Sequence, residues 1–344
     1  MSLASKENLP LVSIIVPVFN GEKYLRESLD SIVNQTYPRL EIVVMDDAST
    51  DSTPEIIASY GDKVRHVRQP QNKGQFGNVN DGIAFAAGKY TAIYHADDVY
   101  DSKIVEREVE FLETHAEVGA VFCYDIFINA EGREYNRLTI PRELQNKSIL
   151  DYQTVLNAVL KYKNRFLPTP GAMVRSSIYK KLGTFRGAEF QIASDLEMWL
   201  RIARKYEIGI LHEYLFSYRH GHENSSQVYY RVRTEEERQF SILDEYLAAG
   251  GNQLITSDAM RAYEAHRAED NLMVAVNHYI LKKNKEARNF LNKVKIKRLL
   301  GSSVVQRGRL LILFFALQIL LRVPRITFFA DLFYRRWHAK TYPA

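Results

Sequence analysis

Two pairs of adjacent aspartates mark the parts of this sequence that could do chemistry. Asp46–Asp47 follow the apolar run 40–45, and Asp97–Asp98 follow a run rich in Tyr, Thr and Ile at 89–94. Ligands of open α/β sheets bind outside the carboxyl ends of the strands, so these carboxylates are expected at one rim. There they could hold a hard divalent cation against a phosphate. A helix N-cap is the simpler interpretation of either pair alone, because Asp is a preferred capping residue.

The elements that must position these carboxylates alternate between strand and helix. The apolar run 11–16 is predicted to be a strand that Pro17 stops, and 22–33 has apolar residues at helical spacing. The strand 40–45 and a helix from Ser52 follow. Strand, helix, strand, helix at this spacing predicts an α/β fold whose parallel strands are joined by right-handed crossovers.

Size and composition limit the possible classes of protein. The 344 residues, 46% of them hydrophobic, are enough for one large domain and an appendage. The single cysteine, Cys123, excludes an intrachain disulfide framework and a cysteine-rich metal site. Residues 1–10 contain no apolar stretch of signal-peptide length, so we expect the protein to stay in the cytoplasm.

The positive charge is concentrated in the C-terminal tail. Residues 293–344 contain eleven Lys and Arg against one acid, Asp331, which gives this tail a charge of +10. The whole chain has a net charge of +5, so residues 1–292 carry −5. The tail therefore needs an explanation of its own.

Two further segments carry titratable groups. The segment 194–201 is predicted to be a capped amphipathic helix with Asp195 and Glu197 in its first turn. The runs 208–211 and 214–218 are predicted to be two strands, and Arg219-His220-Gly221-His222 follows them. Histidines at alternate positions of a strand point to the same side, so His220 and His222 could share a site.

Five motifs in a fixed order resemble the family 2 glycosyltransferases of GT-A fold, over about residues 11–226. They are Val-Ser-Ile-Ile-Val-Pro-Val-Phe-Asn (12–20), Ser-Leu-Asp-Ser-Ile-Val-Asn-Gln-Thr-Tyr (28–37), Glu-Ile-Val-Val-Met-Asp-Asp-Ala-Ser-Thr-Asp (41–51), Asn-Lys-Gly (72–74) and Tyr-His-Ala-Asp-Asp (94–98). The resemblance implies a Rossmann-like, mostly parallel sheet flanked by helices. It also implies a nucleotide-activated sugar, usually a UDP-sugar, and a divalent metal, Mn²⁺ or Mg²⁺.

The resemblance assigns roles to individual residues at the strand ends. By similarity, Pro17 and Phe19 would line the nucleotide pocket, Asp47 would accept a hydrogen bond from the base, and Asp97 would be the metal-binding acid of the Asp-X-Asp motif. The remaining residues implied for the nucleotide sugar are Asn20, Asp46, Asn72, Gly74, Asp98 and Arg219.

Asp195 matches the family's general base, with Glu197 in reserve. The segment from Tyr218 to Ser225 resembles the family's Tyr-Arg-X-His-X-X-Ser segment with one additional residue before His222. By this resemblance His222 can ligate the metal or contact the diphosphate, while Arg219 can pair with a phosphate.

The chain departs from the family pattern at two positions. His95 stands where the family often has the first Asp of Asp-X-Asp; it could be a metal ligand or a packed, hydrogen-bonding residue. Val79 stands where many relatives have an Arg before the residue that corresponds to Asn80, so a phosphate contact by that Arg is not carried over.

The residues after 231 are predicted to be mainly helical. Leu310 to Leu321 is strongly apolar but shorter than the roughly 20 residues that a bilayer span needs. The segment 325–338 places aromatic residues beside arginines, which is typical of a helix at an anionic membrane surface. The alternatives are a helix that packs on the catalytic domain or in a homo-oligomer interface. Nucleic acid is disfavoured because aliphatic side chains interrupt the basic ones.

We therefore predict a GT-A catalytic domain (1–230), a helical extension (231–300) and basic amphipathic membrane-associating helices (301–344). The predicted activity is metal-dependent, inverting transfer of a sugar from a nucleotide donor to a saccharide or polyprenyl-linked acceptor in surface polysaccharide assembly. The predicted location is the inner face of the plasma membrane. The alternatives are a sugar-phosphate nucleotidyltransferase and a non-catalytic, membrane-docked nucleotide-sugar binding module. The sequence does not predict the sugar, the acceptor or the linkage.

Overall fold

The structure is a computed structural model, and it describes residues 9–138, 140–220, 233–301 and 304–322. The chain divides into two compact units. The first consists of Met1–Leu156 and Tyr162–His222, and the second of Asn157–Lys161 and Glu223–Ala344. The predicted functions of the three segments 1–230, 231–300 and 301–344 stay predictions.

The described residues contain ten strands, and all of them belong to one sheet. In chain order they are β1 (Val12–Val18), β2 (Leu40–Asp46), β3 (Arg65–Arg68), β4 (Tyr90–Ile93), β5 (Val99–Tyr100), β6 (Val118–Ile128), β7 (Glu134–Arg137), β8 (Ile149–Leu150), β9 (Ala172–Arg175) and β10 (Glu207–Arg219).

Thirteen α-helices lie in the same described residues. They are α1 (Leu25–Val33), α2 (Thr53–Ala58), α3 (Gln75–Phe85), α4 (Ile104–Thr114), α5 (Tyr152–Tyr162), α6 (Ser176–Leu182), α7 (Gly187–Phe190), α8 (Ser194–Ala203), α9 (Arg238–Ala248), α10 (Ser257–Ile280), α11 (Asn284–Lys293), α12 (Ile296–Leu299) and α13 (Val304–Arg322).

The strand order of the sheet is β3-β2-β1-β4-β9-β6-β10-β5, with β7 paired to β6 and β8 paired to β10. Neighbours within β3-β2-β1-β4 run parallel, as do β6 and β10, while β9 runs antiparallel between β4 and β6. The parallel strands β1, β2 and β4 therefore end at one rim. The predicted α/β class, with a mostly parallel sheet flanked by helices, is confirmed.

The two faces of β1 and β2 are covered by different layers, as the period-two geometry of strands requires. Ile14 and Val44 belong to the main core, in which α1 and α4 bury their apolar faces. Ile15, Val43 and Met45 point to the opposite face, where α3 packs against the sheet. Because both faces are covered, the sequences of both strands are largely apolar instead of alternating between apolar and polar residues.

Two boundaries differ from the sequence-based expectation. Pro17 does not stop β1, since it pairs in register with Met45 of β2. The pairing of β1 with β4 ends at Ile15. The N–H group that Pro17 lacks would therefore point to a side of β1 where no strand is paired, so no hydrogen bond of the sheet is lost. The two strands predicted over 208–218 form the single strand β10. Its pairing with β6 is irregular between Ile210 and Phe216, where the register shifts.

The second unit is helical in its described residues, which confirms the predicted C-terminal helical region. Its core is formed by apolar residues of α10 to α13, among them Leu272, Leu291, Leu299, Phe314 and Leu317. None of the described helices combines the length and apolar character that crossing a bilayer requires.

Candidate active site

The candidate site lies at the rim where β1, β2 and β4 end. Asp46 is the last residue of β2 and pairs in register with Val18, the last residue of β1. The backbone N–H of Asp47 donates to the Val18 carbonyl oxygen at 2.8 Å. The His95–Asp98 segment leaves the sheet after β4, the other neighbour of β1. The two aspartate pairs therefore follow strands that flank the same central strand.

Three potential metal-ligating side chains meet after β4. One donor atom from each of His95, Asp97 and Asp98 lies within 4.8 Å of the others. Asp98 is buried, and its Oδ2 has no hydrogen-bond partner among the described residues, while its Oδ1 accepts a hydrogen bond from the Arg219 N–H at 2.8 Å. A buried carboxylate oxygen without a partner, beside a second carboxylate and an imidazole, suits a divalent cation.

The electrostatics of this cluster also suit a cation. Burial, together with the charge of Asp97, raises the pKa of Asp98 well above its usual value. Burial lowers the pKa of His95, although Asp97 opposes that shift, so the ring favours the neutral form that can ligate a metal. A positive ion would relieve both the carboxylate repulsion and the cost of burying Asp98.

Arg219 holds the segment after β4 in place. Its Nε donates to the Asp97 carbonyl oxygen at 2.8 Å, and its Nη2 donates to Glu27 Oε2 at 2.7 Å. The guanidinium group lies 4.6 Å from the Tyr24 ring centroid, and the side chain is 1% exposed. The structure thus gives Arg219 protein partners throughout, and its predicted contact with a phosphate stays a prediction.

The aspartates after β2 organise two loops. The Asp47 carboxylate accepts hydrogen bonds from the backbone N–H groups of Lys73 at 2.7 Å and Gly74 at 2.9 Å. Asp46 is buried and accepts from the Ser49 N–H at 2.8 Å; its Oδ2 also lies 3.5 Å from Arg68 Nε. The segment after β2 and the Asn-Lys-Gly loop are therefore joined at the rim.

The loop after β1 is tied to the same region. Asn20 has a left-handed backbone with φ of 51°, and its side-chain oxygen accepts from the Thr50 N–H at 2.8 Å. Phe19, next to it, is 50% exposed, which leaves an aromatic face available at the rim. In the third loop, Asn72 Oδ1 accepts from the Gly74 N–H at 2.9 Å.

Asp195 lies at the start of α8, and its carboxylate is held by polar neighbours. Its Oδ2 accepts from Asn164 Nδ2 at 3.2 Å and from Thr169 Oγ1 at 3.5 Å, and its Oδ1 accepts from the Leu196 N–H at 2.6 Å. Burial raises the pKa of Asp195 to about 6, against the opposing effect of these three donors. The carboxylate is consequently a stronger base than an exposed aspartate.

Glu197, the reserve candidate, is held in ion pairs with two arginines. Its side chain is 2% exposed and its two oxygens lie 2.8 Å from Arg201 Nη2 and 3.6 Å from Arg186 Nη1. Arg201 in turn donates to the Leu182 and Thr184 carbonyl oxygens at 2.5 and 2.8 Å. These contacts favour Asp195 over Glu197 as the base. The predicted metal ligand His222 lies outside the described residues.

Sequence reasoning missed two residues between these groups. Burial raises the pKa of Tyr218, and the charges of Asp98, Asp97, Asp125 and Asp195 add to that shift. The Tyr218 ring centroid lies 6.5 Å from that of His95, so Tyr218 adjoins the candidate metal site. The signal for it was weak, since it is one of 21 tyrosines.

Asp125 is the second missed residue. It is buried in β6, its Oδ1 has no partner among the described residues, and burial raises its pKa to about 6. Its position inside the apolar run 120–128 could have indicated a functional residue, because burying a carboxylate without a partner is costly.

Comparisons with known proteins show which family this chain resembles. The family model described as Glycosyl transferase family 2 matches residues 13–183. An uncharacterized glycosyltransferase of Haemophilus influenzae is 31% identical over 229 residues, covering 64% of this chain and 69% of that protein. The uncharacterized glycosyltransferase MJ1057 of Methanocaldococcus jannaschii is 32% identical over 217 residues, covering 61% of this chain and 71% of that protein.

Solved structures share the fold. S. aureus TarS 1–349 in complex with UDP-GlcNAc matches with a TM-score of 0.55 and 18% identity, covering 95% of this chain and 92% of that one. The mannosyltransferase PcManGT from Pyrobaculum calidifontis, in complex with GDP-Man and Mn²⁺, matches with a TM-score of 0.52 and 18% identity, covering 97% and 89%. With the site geometry and the family match, these findings identify the chain as a member of glycosyltransferase family 2.

Proposed function

We propose that this protein is a metal-dependent, inverting glycosyltransferase that moves a sugar from a UDP-sugar to a hydroxyl group of a saccharide or polyprenyl-linked acceptor. One observation carries the proposal: one donor atom from each of His95, Asp97 and Asp98 lies within 4.8 Å of the others, and Asp98 Oδ2 is buried there without a hydrogen-bond partner among the described residues. The turn Thr169–Gly171 packs against β4 and β10, and Thr169 Oγ1 lies 3.5 Å from Asp195, so acids suited to a metal and a carboxylate suited to a base are held by neighbouring elements.

The donor would lie across the ends of β1, β2 and β4. The half-exposed Phe19 ring beside Pro17 offers a surface for the nucleotide base, and the fixed Asp47 carboxylate has lone pairs left for a base N–H. That PcManGT was solved with GDP-Man and Mn²⁺, and TarS with UDP-GlcNAc, supports a nucleotide sugar as donor. Asn20, Asn72 and Gly74 would act by shaping these loops.

Asp97 would hold the metal, Asp98 would support it, and His95 could add a nitrogen ligand. From the resemblance, His222 would be a further ligand. When bound, the metal would supply positive charge that stabilises the departing nucleoside diphosphate. The oxygen-rich donor set with one imidazole suits Mn²⁺ or Mg²⁺.

Asp195 would act as the general base. The acceptor hydroxyl oxygen forms a bond to the anomeric carbon while its proton passes to the Asp195 carboxylate. The bond between the anomeric carbon and the diphosphate oxygen breaks, and its electron pair leaves with the diphosphate. A single displacement of this kind inverts the anomeric configuration. Asn164 and Thr169 would orient the carboxylate through their hydrogen bonds.

The proposed setting is the cytoplasmic face of the plasma membrane, where a polyprenyl-linked acceptor for surface polysaccharide would be available. The charge of +10 over residues 293–344 supports this setting, because anionic lipids attract clusters of Lys and Arg.

A panel of nucleotide sugars tests the proposal. Purified protein is incubated with each donor and a lipid-linked or saccharide acceptor, in Mn²⁺, in Mg²⁺ and in EDTA, and nucleoside diphosphate release is measured. We expect release with one donor and none in EDTA. A failure of every donor would contradict the proposal. Pyrophosphate release from a nucleoside triphosphate and a sugar phosphate would instead support the nucleotidyltransferase alternative.

A further inference from the structure

Helix α13 has two apolar faces, and the described residues of the second unit bury one of them. Leu310, Phe314, Leu317 and Leu321 are buried in the core that α13 forms with α10, α11 and α12. On another face, Ile312 is 72% exposed, Phe315 is 49% exposed and Ile319 is 63% exposed. Their spacing of three and four residues places them in one stripe along the helix.

The stripe formed by Ile312, Phe315 and Ile319 is flanked by positive charge. Arg309 precedes Ile312 by three residues, Arg322 follows Ile319 by three, and both arginines are exposed. Each therefore lies on the side of the helix that carries the stripe. An exposed row of large apolar side chains bounded by cations is typical of a helix that lies in a membrane interface.

The surrounding chain strengthens the charge argument. Residues 281–322 contain eleven Lys and Arg and one acid, Glu286. The short helix α12 packs against α13, and at its two ends Ile296 and Leu300 are exposed beside exposed Lys295 and Lys297. Apolar and basic groups thus recur together in this part of the second unit.

We infer that the stripe docks on an anionic lipid bilayer, with α13 parallel to the membrane plane and Ile312, Phe315 and Ile319 inserted among the lipids. The inference rests on the proposed membrane setting and adds the surface that achieves it. Each exposed Lys or Arg near such a leaflet adds to the attraction. A second copy of the chain is less suited to cover the stripe, since it would bring the same positive charge to the interface. Three side chains also cover far less than the roughly 800 Å² per partner of a stable interface.

Vesicle flotation with the full chain tests this surface. Wild-type protein is compared with the triple variant Ile312→Gln, Phe315→Gln, Ile319→Gln, which changes no charge and leaves the buried face of α13 intact. The matched control is Phe85→Gln, which removes a 39% exposed aromatic side chain from α3 in the other unit. The vesicles are phosphatidylcholine with roughly 30% phosphatidylglycerol, or phosphatidylcholine alone.

We expect wild-type protein and Phe85→Gln to bind the anionic vesicles, and the triple variant to bind at least about tenfold more weakly. Wild-type protein that binds neither vesicle would overturn both the membrane setting and the surface. Equal binding by the triple variant would overturn the surface alone. A dimer in ultracentrifugation that the same variant abolishes, without vesicle binding, would assign the stripe to a second copy.

A measurement of insertion depth tests the same surface without the triple variant, whose folding could be impaired. Phe315→Trp and Phe85→Trp are each mixed with anionic vesicles of brominated lipid, and their fluorescence is compared with that of wild-type protein. We expect additional quenching only for Phe315→Trp. Equal quenching of the two variants would contradict insertion of the stripe.

Discussion

Removing the side-chain amide of Asn164 is predicted to raise the pKa of Asp195 and to move the acid limb of the pH–rate profile upward. The Asn164 Nδ2 donates to Asp195 Oδ2 at 3.2 Å, so it stabilises the ionised carboxylate. In Asn164→Ala the half-buried carboxylate loses that donor. The protonated form then persists to higher pH, and a protonated carboxyl group cannot act as the base.

The expected size of the shift follows from the geometry. A hydrogen bond to a charged group contributes about 1.5–3 kcal/mol, and the long 3.2 Å contact suggests the lower end of that range. One pKa unit corresponds to about 1.4 kcal/mol, so the pKa should rise from about 6 to roughly 7. At pH 6 the ionised fraction then falls from about one half to about one tenth. Activity should drop roughly fivefold at that pH and recover on the alkaline plateau.

The assay is kcat/KM for the acceptor across pH 4.5 to 9, at saturating donor and metal, because this quantity reports ionisations before the acceptor binds. Thr169→Val should move the limb in the same direction, since Thr169 Oγ1 donates to the same carboxylate oxygen at 3.5 Å. Asn34→Ala is the control, because its amide donates to the Asp30 carbonyl oxygen of α1. An acid limb that stays in place or moves to lower pH in Asn164→Ala would mean that Asn164 does not stabilise an ionised Asp195 that acts as the base.

Three further substitutions separate the roles of other groups. Asp97→Asn should lower metal-dependent transfer by about 100-fold or more, because an acid that would hold the metal is lost; activity against Mn²⁺ concentration measures it. Glu197→Gln should lower the free energy of unfolding by about 1–3 kcal/mol, since it breaks a buried pair with Arg201, while the acid limb of the rate profile stays in place. Gly82→Ala should cost about 1–3 kcal/mol in urea unfolding, because the new Cβ would meet Ile15 and lie 3.0 Å from Met45 Cγ.

Each of these expectations has an outcome that contradicts it. Unchanged transfer by Asp97→Asn at low Mn²⁺ would remove Asp97 from the metal site. A lost or displaced acid limb in Glu197→Gln would return Glu197 to the list of candidate bases. Wild-type stability of Gly82→Ala would mean that α3 can move away from the sheet at no cost.

The sequence predicted the elements whose signals are local. Asp46, Asp47, Asp97 and Asp98 follow apolar runs of strand length, and both pairs lie at the ends of strands that flank β1. The motifs around them also identified the family. The prediction that Pro17 ends the strand was wrong. A proline fits within β1 because the pairing with β4 ends at Ile15, and the sequence of β1 does not show where that pairing ends.

Contacts between distant parts of the chain could not be predicted in this way. Arg219 holds the Asp97–Asp98 segment across more than 120 residues, and Tyr218 lies near His95 because β10 pairs with β5, the strand that follows Asp98. The division of α13 into a buried and an exposed face likewise depends on how α10 to α12 pack. A hydrophobic run of nearly uniform composition does not specify which side is covered.

The most direct test of the central claim is to compare Asp195→Asn with wild-type protein in donor binding and in sugar transfer. Asparagine preserves the size of the side chain but cannot accept the acceptor proton. We expect the dissociation constant for the nucleotide-sugar donor to stay within about threefold, while the transfer rate falls by about 1,000-fold or more. Transfer at the wild-type rate by Asp195→Asn would show that Asp195 is not the general base.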